Sequence, residues 1–550
     1  MALSIPQSFQ GRFMKEGARA FKGLDEVVLR NIEACSELGN QLRTTFGPNG
    51  MNKLIINDIE KEFVTTDAAT IIRELDVIHP AAQLLSFAAQ CVEEGPGDGV
   101  NTAVILSVAL LEGAGELIRA GLKPVEVIDG YTEVHKSLME KIESFVIAKA
   151  TELHDVKEVK KYLKAAVMSK QLIHVDKITE LAAEACVQVS SKSGKAFNVD
   201  NVRMVKIPGG TINDSTVVNG MVFHRASETD RRSVENAKVA LFACPFDILQ
   251  TETKGTVLLN NADELMEFSG NEEKEVEKQI KELHDAGINV VVAAGKFGDL
   301  YIHYLNKYNI MGVRLVSKFD LRRLCRMLGA PAQAVICTPS LDHVGQCDKV
   351  SQKELSGQQT IVFEKSGQTG SIASIVIRGA TMQQMNDVER ALDDAINNYK
   401  LLTRDNRLVG GAGTFEVQVA RHVEYLANKN STVSQYVMHK FGQAYQSLPK
   451  QLAKNAGLNE TQALASLIAE QKKNDGPIGI DIFEAGKYID VKKENIYDSY
   501  LAKAKAIEVA VDSAIQILRV DQIIMARAAG GPNLKAPRPQ DPEGNDDGMA

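Results

Sequence analysis

The hydrophobic and polar positions divide the chain into helical ends and an alternating middle. Helical spacing of apolar residues predicts helices over 24–45, 81–145, 151–187, 382–402, 414–427, 433–456, 460–472 and 499–527. In the middle, short apolar runs predict strands at 238–244, 288–294 and 311–316, and amphipathic stretches predict helices at 271–286, 297–308 and 319–328. This alternation predicts a compact α/β domain. An insertion of that domain into a helical one explains the pattern economically.

Composition narrows the class of protein. The chain has 550 residues, enough for several domains, with 44% hydrophobic and 24% charged residues, as in an ordinary soluble protein. The 63 basic and 71 acidic residues give a net charge of −8, which argues against a nucleic-acid partner. The best apolar run, 103–111, is far shorter than the roughly 20 residues of a membrane span, so no membrane association is expected.

The cysteines argue against a disulfide framework and a zinc site. There are seven, scattered along the chain without a CxxC pair, which is typical of reduced thiols and predicts a cytoplasmic location. A metal held by carboxylates stays open. The last residues, 528–550, are rich in glycine, proline and polar residues and are expected to be disordered.

A glycine-rich loop at 95–99 precedes the apolar helix that starts near Val100. Glycines let the backbone approach a ligand closely, and a helix N-terminus offers free N–H donors to an anion. Asp98 in this loop would repel a phosphate, but a carboxylate beside a phosphate site is what a bridging Mg²⁺ needs. A plain turn that caps the helix explains the loop equally well.

Four further motifs are weak when each is taken alone. The segment 46–53 reads as a simple glycine-rich turn, and Asp67, among threonines, could cap a helix. Asp393 and Asp394 lie about 100° apart on a predicted helix, so spacing does not choose between them, and acidic pairs are usually solvated. The GGAG at 410–413 lacks the spacing of a dinucleotide fingerprint.

Taken together and in this order, the motifs resemble those of the group II chaperonins. GPNGMNK (47–53), TTDAATI (65–71), GDGVNT (97–102), ERALDDA (389–395) and VGGAG (409–413) are similar to that family's GPxGMxK, TNDGATI, GDGTTT, acidic helix and VPGGG. The resemblance covers essentially the whole chain. It implies a multidomain α/β chaperonin fold with a mainly helical equatorial domain, a small intermediate α/β domain, and an apical α/β domain with a lid protrusion near 245–275.

The resemblance also implies domain boundaries and a function. The equatorial domain would comprise 1–147 and 405–527, the intermediate domain 148–217 and 370–404, and the apical, client-binding domain 218–369. The chain would be an ATP-dependent chaperone subunit in a double ring, each ring holding eight different paralogues. That ring would enclose unfolded proteins such as actin and tubulin, and ATP hydrolysis with Mg²⁺ would close its lid.

Roles at the site follow from the resemblance residue by residue. The backbone cradle around the phosphates of ATP or ADP corresponds to Phe46, Gly47, Gly99, Val100, Asn101 and Thr102. Asp98 corresponds to the Mg²⁺ ligand, Asp394 to the carboxylate that positions the attacking water, and Asp67 to its companion near the γ-phosphate. Contacts from the intermediate segment and on the nucleoside side correspond to Met168, Ser169, Lys170, Gly411 and Asp498.

Departures from the family motifs leave an alternative open. Val100 and Asn101 replace two threonines, Ala68 replaces a glycine, and Ala412 interrupts a triple glycine. Backbone amides would still bind the nucleotide, and a slowly or non-hydrolysing scaffold and client-binding subunit of the same ring is the alternative. A small-molecule kinase lacks an acceptor signature and a Walker A lysine. On 297–308, an aromatic stripe that includes Tyr301 fits either the core or a client surface.

Overall fold

The computed structural model describes residues 19–20, 24–57, 59–190, 197–247, 262–365, 372–473, 476–483 and 487–525. The helices in these ranges are α1 (Leu24–Arg43), α2 (Ala68–Glu74), α3 (Pro80–Glu94), α4 (Val100–Arg119), α5 (Pro124–Lys141), α6 (Val156–Lys170), α7 (Val175–Val189), α8 (Ala262–Asp285), α9 (Asp299–Lys307), α10 (Lys318–Leu328), α11 (Met382–Arg404), α12 (Thr414–Lys429), α13 (Ser434–Asn455), α14 (Glu460–Lys473), α15 (Val491–Glu494) and α16 (Tyr500–Leu518).

The strands are short and fall into five sheets. They are β1 (Arg19–Ala20), β2 (Lys53–Ile56), β3 (Glu62–Thr65), β4 (Ala148–Lys149), β5 (Val202–Pro208), β6 (Thr216–Phe223), β7 (Ser233–Phe242), β8 (Val290–Ala293), β9 (Met311–Arg314), β10 (Gly345–Leu355), β11 (Gln358–Glu364), β12 (Ala373–Gly379), β13 (Arg407–Gly410), β14 (Ile478–Ile480), β15 (Tyr488–Asp490), β16 (Tyr497–Ser499) and β17 (Ile524–Met525).

A helical body brings the two ends of the chain together. Its hydrophobic core combines residues 28–142 with residues 409–518, mainly from α1, α3, α4, α5, α12, α13 and α16. Helix α4 runs through this core. Within the described ranges it has the length and hydropathy of a membrane span, yet 78% of its most apolar window is buried inside the protein. It is therefore the core helix of this body, since its apolar surface is covered by the other helices.

A second, smaller core also combines two distant segments. Helices α6 and α7 pack against α11 and strand β12, so that residues 150–212 and 373–408 share one hydrophobic cluster. Residues Val388, Leu392, Ile396 and Tyr399 of α11 are fully buried here, as the helical period of the sequence predicts. This cluster carries the carboxyl end of α6 and the middle of α11 toward the helical body.

The middle of the chain forms the α/β body. Eight strands follow the order β5-β12-β6-β11-β10-β7-β8-β9, with β7, β8 and β9 parallel to one another. Alternate residues of β7 face different cores. Val239 and Leu241 pack with α10, whereas Ala240 and Phe242 pack with α8 and α9. The predicted α/β middle is thus a sheet covered by helices on both faces.

Several predicted elements need correction. The stretch 81–145 is three helices, because the loop at 95–99 and Pro124, at the start of α5, interrupt it. The helix predicted over 499–527 ends at Leu518, because Ile524 and Met525 instead pair as β17 with Arg19 and Ala20.

The structure also bears on the predicted aromatic stripe over 297–308. Tyr301 is buried against Phe246 in the core of the α/β body, so it does not belong to a client surface.

The predicted protrusion lies partly, and the tail at 528–550 wholly, outside the described residues. The three bodies follow the predicted order along the chain, and the domain boundaries themselves stay predictions.

Candidate nucleotide-binding site

A cavity of about 580 Å³ lies between the helical body and the second core. Its walls come from the N-termini of α2 and α4, the C-terminus of α6, the middle of α11, and the segment from β14 to α16. Of the predicted site residues, those that line it are Phe46, Gly47, Asp67, Asp98, Gly99, Val100, Asn101, Thr102, Met168, Ser169, Lys170, Asp394 and Asp498. The fold therefore brings six separate segments of the chain into one place.

Helix α4 presents its N-terminus to this cavity. Gly99 precedes the helix with a φ of 88°, a left-handed conformation that favours glycine, and no side chain caps the first turn. The N–H groups at the start of a helix have no partner within the helix and attract anions. The loop is therefore a turn that begins a helix, as the plain-turn interpretation holds, and the N–H groups of the first turn of α4 remain available to an anion.

Asn101 ties this first turn to two neighbouring motifs. Its Oδ1 accepts a hydrogen bond of 3.2 Å from the backbone N–H of Ala68, and its Nδ2 donates one of 3.2 Å to Thr45 Oγ1. Asn101 thus has a structural use at a position where the family motif has threonine. It connects the loop of Asp98 with the start of α2, where Asp67 lies.

Lys170 joins two of the predicted carboxylates. Its Nζ donates to Asp67 Oδ1 at 2.7 Å and lies 3.6 Å from Asp394 Oδ2. All three side chains are largely buried, with 13 to 16% of each exposed. Asp67 also caps α2, since its Oδ2 accepts hydrogen bonds from the N–H and Oγ1 of Thr70. The helix-cap interpretation of Asp67 is therefore correct, and the same side chain also lines the cavity.

The distances to Lys170 separate the two carboxylates electrostatically. Burial disfavours the charge of Asp67, but the Lys170 ammonium bonded to it outweighs burial and holds the pKa of Asp67 well below its ordinary value. At Asp394 the balance is reversed. Burial raises its pKa well above the ordinary value, because Lys170 is farther away and the carboxylates of Asp98 and Asp67 oppose a further negative charge. The two carboxyl groups that flank the Lys170 ammonium thus have pKa values shifted in opposite directions.

The structure also separates Asp393 from Asp394. Both line the cavity, but the ion pair with Lys170 belongs to Asp394. Burial and the neighbouring carboxylates of Glu389 and Asp67 raise the pKa of Asp393 to about 7. Neither residue is a solvated surface carboxylate, so the helix-surface interpretation of the pair is wrong.

Asp98 is held in place from two sides. Its Oδ1 accepts from the backbone N–H of Gly99 and its Oδ2 from Asn398 Nδ2, both at 2.6 Å. Asn398 lies one turn after Asp394 on α11, so this helix carries Asp394 and also contacts Asp98. Burial raises the pKa of Asp98, although the Asn398 amide opposes this effect.

These residues fit a magnesium ion that binds together with phosphates. Within the described ranges, no group of three or more histidine, cysteine or acidic side chains forms a ready-made metal cage. Mg²⁺ commonly keeps several waters and binds through one or two carboxylates plus substrate phosphates. Asp98 supplies one such carboxylate, and the buried Oδ2 of Asp394 has no hydrogen-bond donor. A cation would stabilise the ionised form of both residues, whose pKa values are raised mainly by burial.

The other end of the cavity is apolar. It is lined by Leu448, Pro449, Leu452, Ile480, Ile482, Phe483, Ile489 and Ile496. Gly411 does not line the cavity. It lies next to it, where its N–H donates to Ile496 O at 3.0 Å and a Cβ would stand 3.6 Å from Asp498 Oδ1. A cavity with carboxylates and helix N–H groups at one end and apolar side chains at the other has the character of a nucleotide site.

Among the charged cavity residues that sequence reasoning missed are Lys503 and Glu416. Lys503 Nζ donates to Glu416 Oε1 at 2.7 Å and lies 3.1 Å from Asp498 Oδ2. Lys503 on α16 follows Asp498 on β16 closely in the chain, but its other partner is 87 positions away. No local motif marks such a pair, so only the fold reveals it.

Comparison with known proteins agrees with the motifs. Residues 38–528 match the model of the TCP-1/cpn60 chaperonin family. T-complex protein 1 subunit theta of Caenorhabditis briggsae is 50% identical over the full length of both chains, and that of Caenorhabditis elegans is 49% identical over the same span. The human subunit theta is 45% identical over 97% of each chain.

Two stretches of the sequence indicate the same subunit as these relatives. The stretches FNVDNVRMVKI (197–207) and CPFDILQTETKGTVLL (244–259) resemble the theta subunit of the eukaryotic cytosolic chaperonin, and subunits of that name are the relatives found. The family match covers most of the chain, and the relatives match it from end to end. The chain therefore belongs to the TCP-1/cpn60 chaperonin family.

Proposed function

We propose that this chain is an ATP-hydrolysing chaperone subunit of a hetero-oligomeric double ring. One observation carries the proposal: Lys170, from the second core, bridges Asp67 and Asp394 in the same cavity as the uncapped N-terminus of α4. Such an arrangement suits phosphoryl transfer, where positioning and charge stabilisation supply most of the catalysis. Family membership adds that chaperonins as a class are ATPases.

In this proposal the chain's own residues divide the work of ATP + H₂O → ADP + phosphate. The phosphates bind at the N-terminus of α4, and Asp98 faces them with the orientation that Asn398 fixes. Bound Mg²⁺ would neutralise phosphate charge. Asp394, ionised once the charge around it is balanced, accepts a hydrogen bond from the attacking water and orients it. Asp67 holds Lys170 close to the γ-phosphate.

The same contacts link hydrolysis to movement. Lys170 ends α6 and Asp394 lies on α11, and these two helices pack together in the second core. Loss of the γ-phosphate changes the charge that faces Lys170, so the preferred position of the second core relative to the helical body changes with it. This movement would close and open a lid formed by the α/β body.

The proposal extends to the partners of this chain and to its location. We propose assembly with paralogous subunits into two rings of eight, in the cytoplasm, with unfolded proteins of the actin and tubulin class as clients. The relatives' names support a multi-subunit complex, because each is called a subunit of T-complex protein 1. Tyr301 of α9 is buried in the core, so this residue is not proposed to contact clients.

A second candidate is a subunit that binds nucleotide but hydrolyses it slowly or not at all. Val100 and Asn101 favour this alternative, since they remove two hydroxyls next to the phosphate loop, and the Asn101 amide is committed to Ala68 and Thr45. Asp67, Asp98, Asp394 and Lys170 oppose it. Both candidates predict nucleotide binding, so only hydrolysis separates them.

The test is single-turnover ATP hydrolysis by the complex purified through a tag on this chain. Asp394→Ala is compared with the wild type, and Asp387→Ala, on the same helix but outside the cavity, serves as control. The particle should elute near a megadalton, as expected for sixteen chains of 60.0 kDa. Loss of one subunit's share of phosphate release in Asp394→Ala alone supports the ATPase. An unchanged burst supports the scaffold, and an active small monomer contradicts both.

A further inference from the structure

Helix α11 carries a row of hydrogen-bond donors on the face that meets the helical body. This donor row consists of Gln383, Arg390 and Asn397, which follow one another at intervals of two helical turns. Asp394 lies on the same face, since its direction from the helix axis is only about 20° from that of Gln383. The buried apolar residues of α11, such as Leu392, lie on the opposite face in the second core. The helix thus joins the second core through one face and the helical body through the other.

Each member of the donor row bonds to a backbone carbonyl oxygen. Gln383 Nε2 and Arg390 Nη1 both donate to the carbonyl oxygen of Val64 on β3, and the Arg390 bond is 3.4 Å long. Asn397 Nδ2 donates to the carbonyl oxygen of Gly97, also at 3.4 Å. Because every residue has a backbone carbonyl, these bonds depend on the path of the two backbone segments rather than on their side chains.

The carbonyls that the donor row contacts lie next to the two site carboxylates of the helical body. Val64 precedes Asp67 by three residues, and Gly97 directly precedes Asp98. Between its contacts with these two segments, α11 carries Asp394. One helix thus sets the position of its own carboxylate relative to both carboxylates of the helical body.

The contact is close at one end of the row and lies outside the cavity at the other. A Cβ on Gly97 would stand 2.5 Å from Cγ and Nδ2 of Asn397, so the lack of a side chain at Gly97 lets α11 approach the loop this far. Arg390 and Asn397 line the cavity, whereas Gln383 is not part of its wall. Gln383 is therefore the member of the donor row that can be changed without altering the walls of the nucleotide site.

We infer that Gln383 is a positioning residue for hydrolysis, which holds α11 on the carbonyl oxygen of Val64 and so keeps Asp394 in register with the carboxylates of the helical body. The inference rests on the proposed ATPase and adds a residue, outside the cavity, on which its rate depends. Gln383 acts through α11. A small displacement of a group that orients a reactant lowers the rate steeply, whereas the parts of the site that bind the nucleotide stay in place.

The experiment follows binding and hydrolysis on this chain within the intact complex. The complex is incubated with 8-azido-ATP labelled on the α- or the γ-phosphate, irradiated at set times and denatured, and this chain is recovered through a tag. The α-label measures bound nucleotide, and the ratio of γ-label to α-label falls as the nucleotide is hydrolysed. In Gln383→Leu this fall should be about fivefold slower than in the wild type at saturating nucleotide, with the α-label within about twofold.

Matched variants separate positioning from mere folding. Gln384→Leu makes the same change on the adjacent residue, which points about 100° away around the helix, and should behave as the wild type. Gln383→Glu keeps the size of the side chain but replaces the donor by an acceptor, so it should also slow hydrolysis. Gln383→Lys restores a donor for the carbonyl and should recover part of the rate. A purely structural effect would lower the α-label together with the rate.

Each contrary result has a distinct meaning. Hydrolysis at the wild-type rate in Gln383→Leu and Gln383→Glu overturns the inference and leaves the proposed ATPase standing. Equal losses of α-label and rate, or a rate that stays low in Gln383→Lys, make Gln383 a structural residue and also overturn the inference. If Gln383→Leu does not enter the complex, Gln383→Glu and Gln383→Lys decide. A wild-type chain that binds α-label but keeps its γ-label overturns the ATPase and the inference with it, and one that binds no label overturns the nucleotide site itself.

Discussion

Lys170 and Asp67 are 103 positions apart in the chain, and their side chains form a hydrogen bond of 2.7 Å. Lys170 is the last residue of α6, and Asp67 is the residue that caps α2. One belongs to the second core and the other to the helical body. The bond therefore connects the two bodies at the point where the cavity separates them.

Replacing Lys170 by methionine should loosen this connection. Without the ammonium, Asp67 loses its partner in a largely buried place, at a cost of about 2 kcal/mol after allowance for water in the cavity. Hydrogen–deuterium exchange of this chain in the intact complex should then show faster exchange at the start of α2 and the end of α6. Lys161→Met, on the same helix with the exposed partner Glu158, is the control. Equal exchange in both variants would contradict the role of the bond.

Asp393 should make the local stability of α11 depend on pH. Its pKa is raised to about 7, so the folded state favours the protonated form. The folded state then binds more protons than the unfolded state, and stability present at low pH is lost as pH rises toward 7. Between pH 5.5 and 8 we expect a loss of about 2 kcal/mol in the opening free energy of α11 in the nucleotide-free complex.

Asp393→Asn removes this dependence, because the amide does not ionise. Hydrogen exchange of α11, corrected for the intrinsic pH dependence of exchange, should show a loss of opening free energy between the two pH values that is smaller in this variant than in the wild type by about 2 kcal/mol. Asn should therefore stabilise the helix at pH 8 and change little at pH 5.5. A wild-type α11 whose stability is flat over this range would contradict the prediction.

Ala412 is strained where the related motif has glycine. Its φ is 53°, in the left-handed region that costs an L-residue about 1 kcal/mol. Ala412→Gly should relieve this strain and, after the added entropy of the unfolded chain, stabilise the chain by about 0.5 kcal/mol. Urea resistance in the complex, followed by pulse proteolysis, measures the gain.

The neighbouring glycine offers the opposite change. Gly413 has a φ of 79°, and a Cβ there would lie 3.0 Å from Pro449 Cβ, so Gly413→Ala should destabilise the chain by at least 1 kcal/mol. The two variants must move in opposite directions. Stabilisation by both, or by neither, would show that backbone strain does not decide stability at this turn.

Asn101 should act as a structural clamp. In Asn101→Ala the N–H of Ala68 loses its acceptor, and we expect its hydrogen exchange to become about fivefold faster, which corresponds to about 1 kcal/mol. Asn57→Ala is a suitable control, because Asn57 also accepts backbone hydrogen bonds, from Ile59 and Lys61, but outside the cavity. Unchanged hydrogen exchange at Ala68 in Asn101→Ala would contradict the structural role of Asn101.

Local patterns were reliable where local chemistry decides the structure. The helical period over 382–402 predicted α11 within two residues of its observed end, and Asp67 among threonines predicted a helix cap. The pattern failed for 499–527, because the pairing of Ile524 with Ala20 is a contact between opposite ends of the chain. It also left Asp393 and Asp394 equivalent, since nothing on their own helix distinguishes them.

By itself, the sequence determined the helical ends, the α/β middle, the glycine loop before α4 and, through its ordered motifs, the family. These features depend on periodicity, turn chemistry and motif order, which are properties of neighbouring residues. Only the tertiary structure decided that Lys170 stands between Asp67 and Asp394, and that Lys503 joins Glu416 to Asp498. Lys170 and Asp67 are 103 positions apart, and Lys503 and Glu416 are 87 positions apart. Such charges interact only when packing removes them from water and brings them within a few ångströms, and no local pattern encodes that event.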